Sequence, residues 1–343
     1  MHPTPTPPAS SPATVPQWQR EWQDSFRNTG ELLEFLGLEP HSVAELPDLD
    51  PRFPLLVPRS YAERMRKRDW NDPLLKQVLA TRHEEQERTG FIADAVGDLA
   101  AEEVPGVLRK YHGRTLLVLT GICAVHCRYC FRREFPYDEL PMTRSKWNGV
   151  YVRLKADPSV EEILFSGGDP LSLSDANLRW HWEQAIAIPQ IKRLRIHTRL
   201  PVVLPSRLDE NFLGMVSELS KFKPVYLVIH ANHANEISKE VVSRLKALRD
   251  SGAVVLNQSV LLRGVNDHAD ALVELSERLL DAGALPYYLH QLDRVRGAWH
   301  FEVPEETGLK LMEDLRKRLP GYGVPKYVRE IAGAASKTEL IRK

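Results

Sequence analysis

Four short apolar runs start at Leu194, Val225, Val254 and Leu285, which sets them 31, 29 and 31 residues apart. A strand, its crossover helix and two turns need about that length of chain, so the interval is that of a βα unit. With two earlier runs the expected strands are Leu116–Thr120, Ile163–Ser166, Leu194–Thr198, Val225–His230, Val254–Ser259 and Leu285–His290. Their branched residues read as buried strands. Helical patterns over Leu208–Ser220, Ile237–Asp250 and Ala271–Asp281 alternate with them, and Gly252 and Gly283 stop the last two. Parallel strands joined in this way need right-handed crossovers, and six are too few to close the usual eight-stranded barrel. The chain is therefore expected to be α/β, an open three-quarter parallel βα barrel of six units, with a doubly wound sheet as the alternative. In either, the functional face lies at the C-terminal ends of the strands.

The segments outside this period are of other kinds. Residues 1–16 hold six prolines among Ser, Thr and Ala, and are expected to be a disordered tail. Trp18, Trp22, Phe26, Leu32, Leu33, Phe35 and Leu36 then recur at helical spacing, with Gly37 as a stop. Further helices are expected from Pro58, with Ser60 as N-cap, and from Asn71-Asp72-Pro73. The expected division is a tail (1–16), a helical N-terminal region serving packing or subunit contact (17–109), the partial barrel (110–319) and a C-terminal segment (320–343). Lys plus Arg and Asp plus Glu number 46 each, a balance that favours neither nucleic acid nor a membrane surface as partner. With no run of about 18 apolar residues and no leader pattern, a cytoplasmic protein acting on a small molecule is expected.

All three cysteines, Cys123, Cys127 and Cys130, fall in the stretch CAVHCRYCFRR. Thiolates are soft ligands that select zinc, copper or iron–sulfur. A structural zinc site needs a fourth ligand, here His126 or His112, and usually paired C-x-x-C knuckles. The spacing in this chain is C-x-x-x-C-x-x-C. A [4Fe-4S] cluster held by three thiolates leaves one iron open to another ligand, and this is the preferred reading, ahead of zinc and of ordinary thiols.

This spacing resembles the cluster motif of the radical S-adenosylmethionine (SAM) enzymes, in which the amino and carboxylate groups of SAM chelate the open iron. Lys110-Tyr111-His112, Arg114 and the run CAVHCRYCFRREFPY extend the resemblance to the lysine 2,3-aminomutase family. Within it they resemble the short bacterial branch that makes (R)-β-lysine for modification of elongation factor P. The resemblance covers roughly residues 50 to 343. It implies three cofactors: the cluster, SAM and pyridoxal 5′-phosphate (PLP).

The resemblance also assigns residues. Ser166-Gly167-Gly168-Asp169 stands where the family holds the methionyl amino group, the glycines permitting close backbone approach and Asp169 offering a carboxylate. His230 and Gln258, at the ends of the fourth and fifth strands, are expected as SAM neighbours. Lys337 occupies the position of the lysine that bonds covalently to PLP, with Lys110, Tyr111 and Arg114 around ring and phosphate. Arg132 matches the arginine on the substrate carboxylate, where a planar fork makes a bidentate contact that lysine does not reproduce. Asp293 and Glu330 match two carboxylates that meet the far ammonium of lysine, a group that needs such partners once desolvated. Glu330 stands where the catabolic enzymes carry aspartate. The segment before Lys337 is poorer in glycine than theirs and only six residues follow it, departures that fit the short branch.

The implied activity is that of an isomerase, in which hydrogen is abstracted at C3 of L-α-lysine and nitrogen moves from C2 to C3. The implied partners are free lysine, an electron donor such as flavodoxin or ferredoxin, and an elongation factor P lysine ligase that takes the product; a homo-oligomer is left open. The alternatives are a catabolic lysine 2,3-aminomutase, a radical SAM aminomutase for another amino acid and, of a different class, a zinc-binding module without enzymatic activity. Asp293 separates the substrates, and iron against zinc separates the classes.

Overall fold

The computed structural model describes residues 15–39, 53–140 and 143–342. The proline-rich tail expected over 1–16 lies outside the described residues except for Val15 and Pro16. The N-terminal region consists of short helices, α1 (Gln17–Gln23), α2 (Thr29–Leu36), α3 (Arg59–Ala62) and α4 (Pro73–Lys76). The side chain of Asn28 accepts from Gly30 N and Glu31 N to start α2, and Gly37 at φ 66° ends it. Asp72 caps α4 through Leu74 N and Leu75 N, with Pro73 at the first position. Ser60 departs from expectation. It lies inside α3, which begins after Pro58, and its hydroxyl donates to Val203 O at 2.8 Å. Trp18, Leu32, Leu36, Tyr61, Leu74 and Leu75 join the same buried cluster as the barrel residues Trp182, Phe212 and Leu245. Each short helix is thus held by the barrel, since one or two turns are not stable alone.

One sheet carries ten strands in chain order. A hairpin of β1 (Glu102–Val104) and β2 (Val107–Leu108) lies antiparallel on its edge, inside the stretch expected to be helical. The parallel strands are β3 (Arg114–Thr120), β4 (Glu162–Gly167), β5 (Arg193–Thr198), β6 (Val225–His230), β7 (Val254–Leu261), β8 (Leu285–Gln291) and β9 (Lys326–Arg329). The last of these corrects the expected count of six: a seventh parallel strand follows the final helix. Antiparallel β10 (Thr338–Glu339) covers it. The crossovers carry α5 (Arg144–Ala156), α6 (Asp175–Ile186), α7 (Leu200–Val203) with α8 (Glu210–Leu219), α9 (Lys239–Asp250), α10 (Ala269–Asp281) and α11 (Glu305–Arg318). Edge strands β1 and β10 do not pair with each other, so the barrel is open, as expected.

The helix starts shift by two residues from expectation for one reason. Asp209, Ser238 and His268 each accept a backbone N–H of the first turn, which fixes α8, α9 and α10 at the following residue. β4 is buried from Glu162 to Ser166, as expected of an inner parallel strand, whereas β5 and β7 alternate. In β5, Leu194, Ile196 and Thr198 are buried against the helices while Arg193, Arg195 and His197 are half-buried. In β7, Val255, Asn257, Ser259 and Leu261 are buried and Leu256, Gln258 and Val260 half-buried. Register carries this pattern around the sheet, since His230 pairs with Gln258 and Gln258 with Tyr288. The inner face is therefore polar at many positions, among them Glu162, Ser166, Arg195, His197, His230, Gln258 and His290.

Candidate active site

The cysteine loop leaves β3 at Thr120 and is pinned from two sides. Gly168 N donates to Thr120 O at 2.7 Å and Asp169 N to Ile122 O at 2.8 Å, which ties the end of β4 to the loop backbone. From the N-terminal region, Glu84 takes a forked pair of bonds from Arg128 at 2.8 and 2.6 Å, and Gln77 O accepts Arg128 N at 2.8 Å. Both glycines are needed for this approach. A Cβ on Gly167, at φ 126°, would lie 2.4 Å from Thr120 O, and one on Gly168 would lie 2.5 Å from Ile122 O. They admit the backbone of the cysteine loop, a close approach that a side chain would block.

Burial pushes the Cys123 thiol well up, and the neighbouring Cys130, Asp169 and Cys127 add to it. Cys130 is pushed up to about 11 by burial and then by Cys127. Cys127 contributes to both shifts and Cys130 to that of Cys123, so the three sulfurs lie near one another, a donor set that suits a cationic iron–sulfur centre. Among the described residues no three His, Cys, Asp or Glu groups close on a point as a single ion requires. In a [4Fe-4S] cluster each thiolate binds a separate iron, and three cysteines leave one iron open. The zinc alternative loses its fourth ligands. His126 Nδ1 lies 2.8 Å from Pro54 O and its ring stacks on Phe53, while His112 is exposed before β3, at the opposite end of that strand.

At the adjoining strand ends, Asp169 differs from expectation. Its buried carboxylate accepts from Leu171 N, Thr198 Oγ1, Arg199 N and Leu200 N at 3.0, 2.7, 2.7 and 3.0 Å. Both oxygens are engaged by the chain, so Asp169 joins β4 to β5 rather than offering an open carboxylate to an ammonium. His230 Nε2 lies 2.8 Å from Tyr129 Oη of the cysteine loop, and burial with nearby Arg199 lowers its pKa to about 3, keeping the ring neutral. Gln258 sits beside it across β6 and β7, half-buried, with no side-chain hydrogen bond among the described residues.

Across the barrel mouth the C-terminal segment returns as a hairpin. Thr338 pairs with Arg329, which brings Glu330 and Lys337 together as the next pair beyond the ladder. Lys337 Nζ donates to Glu330 Oε2 at 2.5 Å, and Tyr111 Oη donates to Glu330 Oε1 at 2.6 Å. Lys110 Nζ lies 3.5 Å from Glu330 Oε1 and 2.6 Å from Asp98 Oδ1. Arg132 Nε donates to Asp98 Oδ2 at 2.6 Å and its Nη1 to Ser166 Oγ at 2.9 Å. The result is a chain of alternating charges, Lys337, Glu330, Lys110, Asp98 and Arg132, whose last member bonds Ser166 of β4, the strand whose end is tied to the cysteine loop.

Burial works against the charge on both carboxylates of that chain. Lys337, Tyr111 and Lys110 nevertheless hold Glu330 below the usual range, and Arg132 and Lys110 do the same for Asp98. Asp293, on the turn after β8, has no side-chain hydrogen bond among the described residues. Burial pushes its pKa up to about 7, with Lys337 opposing and Glu330 adding to the shift. Arg114 is the member the structure leaves apart: it is half-exposed at the start of β3, 3.7 Å from Glu162, with its guanidinium 5.9 Å from the Tyr111 ring.

Sequence reading passed over Asp98, Arg199, His197 and His290. Burial holds the imidazoles of His197 and His290 well below their usual pKa, and nearby Lys337 contributes to both shifts. Their signal was alternation: His197, His230 and His290 all lie on the inner face of the sheet.

Comparison with known proteins gives the family. The radical SAM superfamily model matches residues 117–276. The L-lysine 2,3-aminomutase of Escherichia coli (strain K12) is 44% identical over 328 residues, spanning 94% of this chain and 94% of that protein. That of Haemophilus influenzae is 43% identical over 286 residues, 83% of this chain and 84% of its own. That of Clostridium subterminale is 33% identical over 327 residues, 94% and 77% respectively.

Proposed function

This chain belongs to the lysine 2,3-aminomutase family of the radical SAM superfamily, and from that premise we propose that it converts L-α-lysine to (R)-β-lysine with the help of PLP. Membership makes it an isomerase that works with a [4Fe-4S] cluster and SAM. The observation that carries the substrate is the arrangement of charge at the mouth. A guanidinium, Arg132, stands at one end of the polar chain, and at the other Glu330 holds the Lys337 ammonium while Asp293 lies near enough to feel its charge. That pattern is complementary to an amino acid carrying a second ammonium on its side chain.

When bound, the cluster would supply one electron to SAM, and PLP would supply the π system through which nitrogen moves from C2 to C3 after hydrogen is abstracted at C3. Cys123, Cys127 and Cys130 would hold the cluster, with Ser166, Gly167, Gly168, His230 and Gln258 lining the space beside it for SAM. Lys337 would carry PLP, with Lys110 and Tyr111 beside it and Arg114 beyond Tyr111. To act as a nucleophile Lys337 must give up a proton, and Glu330, at 2.5 Å, is placed to hold the ammonium until then. Glu330 and Asp293 are then free to meet the ammonium of the incoming lysine. Arg132 is held by Asp98 and Ser166 in the plane a carboxylate needs, so binding exchanges one carboxylate partner for another.

The proposal extends to the product's destination. The flanks of the cysteine motif resemble the branch that serves elongation factor P, which supports a cytoplasmic enzyme fed by a flavodoxin or ferredoxin and emptied by a ligase acting on that factor. Among the described residues no helix is long and apolar enough to cross a membrane. The test is an anaerobic reaction of the iron-loaded chain with SAM, PLP, a reductant and lysine, followed by chiral mass spectrometry. (R)-β-Lysine is expected, and it should vanish in Lys337→Ala and in Cys127→Ala. Cleavage of SAM without β-lysine would overturn the substrate, and a colourless zinc protein would overturn the enzyme.

A further inference from the structure

Arg199, the first residue past β5, places a buried guanidinium against the cysteine loop. Its Nη1 donates to Cys127 Sγ at 2.6 Å. The other arm, Nη2, donates to Glu236 Oε2 at 2.9 Å, Gln77 Oε1 at 2.9 Å and Tyr61 Oη at 3.1 Å. The main-chain N–H of the same residue is fixed on Asp169 at 2.7 Å. The rings of Tyr61 and Tyr129 flank the guanidinium at 5.5 and 5.7 Å. Glu236 is equally fixed: its Oε1 accepts from Asn232 N at 2.8 Å, His233 N at 3.0 Å and Gln77 Nε2 at 3.2 Å. Among the described residues no other hydrogen bond reaches a cysteine sulfur from a side chain.

A buried ion pair contributes little stability against hydrophobic residues of the same volume. What this pair provides is orientation. Glu236, Gln77 and Tyr61 hold one arm of the planar fork, so the opposite arm is aimed at sulfur without reorganising. Because Glu236 balances the guanidinium, the sulfur meets a directed N–H donor rather than a bare excess of charge. Hydrogen bonds to ligand sulfur are one of the levers that set cluster potentials, since they favour the state carrying more electron density on sulfur.

We propose that Arg199 is a positioning residue that raises the reduction potential of the cluster through its N–H on Cys127 sulfur, with Glu236, Gln77 and Tyr61 holding the fork in place. The inference rests on the cluster reading above. The electron comes from an external low-potential one-electron donor, and no proton moves, since the N–H remains on Arg199 in both states. It gives the N-terminal region a part in the chemistry, because Tyr61 and Gln77 belong to it.

The test is a redox titration of the reconstituted full chain, without SAM or lysine, followed by electron paramagnetic resonance. The paired change Arg199→Met with Glu236→Gln removes the buried cation and anion together. At a fixed applied potential it should lower the ratio of reduced to oxidised cluster about tenfold, which for a one-electron couple is a shift of 59 mV to lower potential. Arg199→Lys should fall between, keeping charge but losing the fork. A ratio within about twofold of the parent in both variants would overturn the inference. If the variants do not load iron, the parent decides alone. Pulsed resonance of the reduced parent, grown with arginine carrying ¹⁵N in the guanidinium, should show a nitrogen coupled to the cluster, and its absence overturns the inference. A parent that binds no iron would instead overturn the cluster reading itself.

Discussion

The two sides of the barrel mouth satisfy their charges differently. Around the cysteine loop, partners are supplied by the fold: Asp169 accepts four hydrogen bonds, Glu236 is wholly buried among donors, and Arg128 forks onto Glu84. Around Lys337 the charges form a chain drawn from separate elements, partly covered at Lys337 and Lys110 and buried at Asp98 and Arg132, with Asp293 left without a hydrogen-bonded partner among the described residues and pushed up to about 7, chiefly by burial. The first side has its hydrogen-bond partners in place before any ligand arrives. The second is completed by what binds it, which is where a substrate with charges at both ends has most to contribute.

The sharpest break of this contrast is Gly168→Ala. The added Cβ meets backbone at 2.5 Å, and backbone cannot step aside as a side chain tip can. A loss of about 3 kcal/mol in stability is expected, with iron content falling to a small fraction, read by thermal unfolding and metal analysis. On the other side, Arg132→Lys should leave iron content unchanged. It should lower kcat/KM for lysine about a hundredfold, as a forked partner of a buried carboxylate is lost.

Asp293→Asn sharpens the comparison through pH. Between about pH 4 and 7 the folded chain keeps a proton on Asp293 that the unfolded chain has released, so this group's contribution to stability falls as pH rises through that window. The asparagine variant lacks that slope. Its stability relative to the parent should therefore be more favourable at pH 8 than at pH 5, while its KM for lysine rises at least about tenfold. Thermal unfolding at the two pH values and steady-state kinetics check both. The smallest effect is expected from Glu330→Asp. One methylene fewer lengthens contacts to Lys337 and Tyr111, and about a fivefold loss in kcat/KM is expected, the value of one ordinary hydrogen bond.

How much of this was legible follows from the range over which each signal acts. Strand positions were readable because each is a local apolar run, and all six expected strands occur with their ends moved by at most two residues. Strand β9 was missed because Lys326–Arg329 is only four residues beside a turn. Helix starts moved to wherever one side chain could take an N–H, a detail of single residues that periodicity does not carry. The three cysteines were legible from spacing, and Lys337 only through family resemblance, for nothing local marks it off from a tail residue. Arg199 was not legible at all. Its partners Glu236, Cys127 and Gln77 stand 37, 72 and 122 residues away, and no spacing rule joins them.

The central claim is that both sides of the mouth act on the same lysine molecule, and lysine deuterated at C3 tests it most directly. Incubated anaerobically with the loaded chain, SAM, PLP and a reductant, it should yield β-lysine and place deuterium on the 5′ carbon of the adenosyl group. Cleavage of SAM with an unlabelled adenosyl product, while the deuterated lysine is recovered unchanged, would contradict the account.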